Sequence, residues 1–164
     1  MGMICLDKND IDTYSKIHNK GTERKMRKPY VQIQKEAVEK YNMILNPNST
    51  CKERMHVHLR TRMICKWDYT SSLKSTFDLF HEIGHCENNK MSMRVCEKEY
   101  YASIWAVYTL LVDYGIKIDD KTIKAYADYI DDEKARGIRR GGSGYAELDF
   151  TNYCKTLYAS WKGV

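Results

Sequence analysis

The chain has 164 residues, 30% of them charged and 43% hydrophobic, enough for one ordinary domain whose core needs no disulfide staples. No apolar run approaches the roughly 20 residues that span a membrane, and the opening MGMICLDKND lacks the apolar core of a secretory signal, so neither a membrane partner nor export is expected. The six cysteines form no CxxC pair and read as reduced intracellular thiols, which makes the expectation a single domain over residues 1–164, located in the cytoplasm. The net charge of +5 is thickest at residues 19–28 and 137–142. No groove-reading motif accompanies it, so it reads as a solvated basic face rather than a nucleic-acid surface.

Residues 1–28 are polar and lysine-rich with little periodicity, a loosely packed lead-in. After Pro29, the apolar positions Ile33, Ala37, Val38 and Tyr41 recur at helical spacing, and the turn-rich LNPNST ends that helix. In MHVHLRTRMICKW, Met55, Val57, Leu59, Met63 and Cys65 alternate with His56, His58, Arg60 and Arg62, the pattern of a half-buried strand or hairpin. Asp68 or the pair Ser71-Ser72 caps the next helix, which turns Leu73, Phe77 and Phe80 to the core and ends at Asn88-Asn89. A second long helix is predicted from about Met93 to Asp113, closed by Gly115; apolar on nearly every side, it belongs in the centre. Asp119 or Asp120 caps a third helix, with Ile123, Tyr126, Ala127 and Ile130 on one stripe. GIRRGGSGY reads as a flexible loop, and Tyr153, Leu157 and Trp161 mark a short C-terminal helix.

The chemistry concentrates in the first of these long helices, in His81-Glu82-Ile83-Gly84-His85. Residues four apart lie one turn above another on one helix face, so two imidazoles can converge on one ion while Glu82 points elsewhere. A zinc hydrolase needs this set: two nitrogen ligands, and a carboxylate left over to act as general base. With five histidines in the chain, roughly 0.01 chance matches to H-E-x-x-H are expected.

A catalytic zinc also wants a third protein ligand and an open position. Glu87 is too close on the same helix to swing back. Glu97 and Glu99 point about 200° apart on the next helix, so only one of them can face the motif. Glu97 shares a stripe with Tyr101 and Ile104, which would hold two helices apart, whereas Glu99 shares one with Ala102 and Ala106, which would let them meet. The expected metal ligands are therefore His81, His85 and Glu99, with Glu82 catalytic.

HEIGH followed at short range by Glu99-Tyr100-Tyr101-Ala102-Ser103-Ile104-Trp105-Ala106 resembles the ImmA/IrrE-type zinc metallopeptidases, small versions of which are common in phages and mobile elements. The resemblance covers residues from about 55 to 115. This chain carries tyrosines at 100 and 101 where the family usually has Ala and then Asn or Asp. The resemblance implies an α+β, zincin-like fold. In it a small twisted antiparallel-type sheet packs on the HExxH helix, with its edge strand along the cleft, followed by a second ligand-bearing core helix and C-terminal helices. It further implies a Zn2+ cofactor and endopeptidase action on a protein partner such as a transcriptional repressor or host factor. The alternative is a non-catalytic phage or mobile-element protein that keeps the fold and acts by binding such a partner.

Other features carry less. His56 and His58 share one face of a strand at a spacing that can bind metal, but beside Arg60 and Arg62 they read as its polar face. Cys86 and Cys96 flank the connection between the ligand helices and read as small buried hydrophobes. Tyr100, Tyr101 and Tyr145 are candidate donors to an oxyanion but read first as packing tyrosines.

Overall fold

The computed structural model describes residues 28–52, 54–88, 93–145 and 147–162, so the expected lead-in lies outside the described residues except for Lys28. Within them five helices and three short strands follow in order: α1 (Tyr30–Lys40), β1 (Ile44–Asn46), β2 (His56–His58), β3 (Met63–Cys65), α2 (Leu73–Glu87), α3 (Val95–Tyr114), α4 (Asp120–Arg139) and α5 (Phe150–Ser160). The architecture is α+β, and no described helix is long and apolar enough to cross a membrane.

Most of the helix starts are fixed by side-chain caps. Ser72 caps α2 by accepting from the Ser75 backbone N–H at 3.3 Å, Asp119 caps α4 through Thr122, and Asp149 caps α5 through Asn152. Gly115 closes α3 in the left-handed region at φ 65°, where the N–H of Ile116 reaches back to the Leu110 carbonyl at 3.0 Å. Glu97 folds back at the start of α3, accepting from the Arg94 backbone N–H at 2.8 Å and from its guanidinium at 2.6 Å.

Helix α3 is central, as its all-round apolar sequence predicts: α2, α4 and α5 all pack on it. Phe77, Phe80, Ile83, Val107, Leu110 and Leu111 are fully buried where these helices meet. Helix α1 is tied to the start of α2 by a buried amide. Gln34 donates to the Thr70 carbonyl and to Thr76 Oγ1, both at 2.7 Å, and accepts from the Thr70 N–H at 3.0 Å. A buried amide with its bonds made fixes geometry instead of costing stability.

The sheet differs from the antiparallel-type expectation. Its order is β1-β3-β2; β2 pairs antiparallel with β3, but β1 pairs parallel with it, so the sheet is mixed. Strand β1 lies in ILN, too short for any alternation to register, and its partner is distant in sequence. The hairpin register pairs Val57 with Ile64 and His56 with Cys65. The faces therefore exchange across the turn: buried Ile64 shares the face of Val57, while Met63 and the equally buried Cys65 share the face of the two histidines. Arg62 is no bystander on a polar face. At φ 55° it donates from Nε to the Tyr41 carbonyl at 2.9 Å and pairs with Glu87 at 2.6 Å, which joins the ends of α1 and α2 to the hairpin.

The segment GIRRGGSGY, expected as a flexible loop, begins inside a helix and is packed beyond it. Helix α4 runs through Arg139, and the segment after it is held by Tyr145, which is buried against Gly137 and Gly142. The Arg94 guanidinium lies 4.1 Å from the Tyr145 ring centroid and donates to the Ser143 carbonyl at 2.6 Å.

The tightest crossing is between α2 and α3. A Cβ at Gly84 would sit 2.7 Å from the Ala102 carbonyl oxygen and 3.0 Å from its Cα, so backbone meets backbone there. Gly84→Ala must push the two helices apart and should cost roughly 1–3 kcal/mol, measured as a drop in stability by denaturant titration. An unchanged midpoint would mean the crossing is looser than described.

Candidate metal centre

The crossing at Gly84 brings together side chains from both helices. His81 and His85 lie one turn apart on α2, and Glu99 lies one turn before Ala102 on α3. Glu99 Oε2 is 3.1 Å from His81 Nε2 and 3.5 Å from His85 Nε2, and the two Nε2 atoms are 3.1 Å apart. The side chains are 5%, 16% and 15% exposed, so their mutual attraction is screened only weakly by water. Glu97 is removed from this cluster by its bonds to Arg94, which leaves Glu99 as the carboxylate facing the histidines. Glu87, set aside on the helix wheel, is held by Arg62.

Ser103, a residue that sequence reasoning passed over, sets the tautomer of His81. Its hydroxyl has a single proton, which it donates to the Glu99 carbonyl at 2.8 Å. At 3.1 Å from His81 Nδ1 the same oxygen must accept, so Nδ1 carries a proton and the neutral ring turns the lone pair of Nε2 toward Glu99. This is the outer support that metal-ligating histidines ordinarily have. The available signal was positional: Ser103 lies one turn beyond Glu99 on the same stripe.

Three lone-pair atoms this close repel unless protons or a cation lie among them. Without a metal, protonated histidine supplies the positive charge. Burial works against a charged His85, but the hydrogen bond and charge of Glu99 outweigh it and the pKa is raised. Burial likewise works against a charged Glu99, yet the two histidines opposite it outweigh that and hold its carboxyl down at about 2. Two nitrogens and a carboxylate oxygen converging on one point also make a donor set that could hold a metal ion.

Glu82 is buried beside the cluster without belonging to it, and among the described residues its carboxylate takes part in no hydrogen bond. Burial raises its pKa, an effect partly offset by His81 and His85. It lines an open cleft of about 630 Å³ together with His81, His85 and Glu99. Edge strand β2 and its flanks form one wall through Met55, Val57 and Leu59, and α4 forms another through Tyr126 and Tyr129. The Tyr126 ring centroid is 4.8 Å from that of His81, and its hydroxyl donates to Asp78 Oδ1 at 2.6 Å. Tyr100, Tyr101 and Tyr145 are not among the residues that line the cleft; the tyrosines there are Tyr126, expected only as part of a helix stripe, and Tyr129. Cys86 is half-buried and Cys96 buried, and neither belongs to a metal-binding group among the described residues.

Compared with protein-family models, curated proteins and solved structures, the chain gives no significant match.

Two outcomes follow from this geometry. Ser103→Ala should leave the protein folded but weaken metal affinity roughly 10–100-fold in a competition titration, because His81 loses the acceptor that orients it. In metal-free protein, the His85 pairing stabilises below its unfolded pKa of about 6.5 and is lost as pH rises through the raised folded value. The Glu99 contribution is present above about 4.5 and lost as pH falls through about 2. Glu99→Gln should therefore destabilise the metal-free protein most near pH 5 to 6, roughly, and progressively less above neutrality, as read by thermal melts across pH.

Proposed function

We propose that the protein is a zinc-dependent endopeptidase with a zincin-like arrangement, cutting a peptide bond in a protein partner. The observation that carries the reading is the convergence of His81, His85 and Glu99 beside a buried Glu82 that is not one of them. Two imidazoles and one carboxylate are a familiar ligand set for catalytic zinc, with a coordination position left over. Zinc bound there would act as a Lewis acid on the scissile carbonyl and lower the pKa of a water molecule toward neutrality.

The remaining work falls to the chain's own residues. His81 Nε2, His85 Nε2 and Glu99 Oε2 would hold the ion, and Ser103 orients the first of them. The Glu82 carboxylate, its basicity raised by burial, takes a proton from the attacking water and returns it to the leaving amine. An edge strand beside the cleft supports a peptide as substrate, because an extended segment can lie along β2 and place its backbone next to Glu82.

Glu82→Gln keeps the shape of the site and removes the base. Its kcat for peptide hydrolysis should fall roughly 100- to 10,000-fold while metal content stays unchanged, measured on a peptide library by mass spectrometry. Equal cleavage by both proteins removes Glu82 as the base, and metal bound with no cleavage by either favours instead a protein that acts by occupying its partner.

A further inference from the structure

A second group of ligating atoms lies outside this site. Cys51, His56, His58 and Cys65 place two thiol sulfurs and two imidazole nitrogens within 4.8 Å of one another. We propose that these four residues bind a structural zinc ion, distinct from the one held by His81, His85 and Glu99.

The fold explains why the four meet. His56 and His58 are two apart on β2 and so share a face, and the hairpin register sets Cys65 of β3 directly opposite His56 on that face. Cys51 comes in from the loop that precedes β2. The two Nε2 atoms are 3.2 Å apart. Tetrahedral zinc with Zn–N distances of about 2.0–2.1 Å requires a nitrogen–nitrogen edge of about 3.3 Å. His56 Nδ1 lies 2.7 Å from the Arg54 carbonyl, an acceptor only, so Nδ1 bears the proton and Nε2 of the neutral ring is the ligating atom. A hydrogen bond between the histidines would account for their one short distance, but not for two thiols gathered at the same point.

The donor set also selects the metal and its role. Two thiolates and two imidazoles suit zinc, and four protein ligands close the coordination sphere, as structural sites do. The two thiols lose their protons on binding. A clip would suit the segment: β2 and β3 are three residues each, and no described residue between 47 and 55 is buried. Because His56 also lines the cleft, a metal here would hold β2 in place as the cleft wall.

The test uses the full chain purified with a non-thiol reductant and loaded with zinc or cobalt. Wild type should hold two zinc ions, and its cobalt form should show a near-ultraviolet thiolate-to-cobalt charge-transfer band, which a ligand set of two histidines and a glutamate cannot give. His81→Ala should keep that band and lose one metal, whereas Cys51→Ser and Cys65→Ser should lose the band and the other. Alkylation of Cys51 in wild type should be slow with zinc and at least tenfold faster after chelation. A cobalt-loaded wild type without the thiolate band overturns the proposal, as does a Cys51–Cys65 disulfide in protein carrying one metal. The wild-type spectrum decides the matter even if the cysteine variants fail to fold.

Discussion

Everything in the candidate centre depends on how closely two helices approach at Gly84 and Ala102. Helices with larger side chains at their contact stand apart, and a carboxylate on one then reaches a histidine on the other only through an extended side chain. Here the Ala102 backbone fills the space a Cβ at Gly84 would need. Glu99 lies one turn before Ala102, and His81 and His85 flank Gly84, so a single backbone contact sets the register of all three. The hydroxyl of Ser103, on the same stripe of α3, is in reach of the first histidine for the same reason.

That proximity has an electrostatic cost which the cluster itself must offset. Glu99 and His85 are both buried enough that desolvation disfavours their charged forms; His81 and His85 favour the charged form of Glu99, and Glu99 and Glu82 that of His85. Such a pair is a poor source of stability and a good place for a cation, since a metal replaces the proton and satisfies all three donors together. Glu82 is the counterpart. It is buried beside the same charges but held by no donor among the described residues, and burial raises its pKa.

The helical half of the fold was legible because long amphipathic segments carry strong periodic signals and their caps are residue-specific. Ser72, Asp119 and Gly115 stand where those signals place the helix boundaries. The choice of Glu99 over Glu97 was legible too, from the alanines that share its stripe. What escaped was whatever depends on pairing across distance. Strand β1 is three residues whose partner is remote, and the exchange of faces between β2 and β3 turns on a register set by the connection at Leu59–Arg62. That register put Cys65 beside His56, which made a strand's polar face into part of a four-ligand cluster. Likewise, Gly137 within GIRRGG invites a flexible reading, yet it allows Tyr145 to pack against α4.

If the crossing of α2 and α3 builds a metal site, its ligands are His81, His85 and Glu99. Anomalous scattering at the zinc edge, measured on crystals of the zinc-loaded full chain, tests it directly. The expected result is a peak bonded to His81 Nε2, His85 Nε2 and the Glu99 carboxylate, at about 2.0–2.2 Å from each, with a position left open toward the cleft. Density for the three side chains with no peak among them, or a peak there ligated by Cys86, would contradict it.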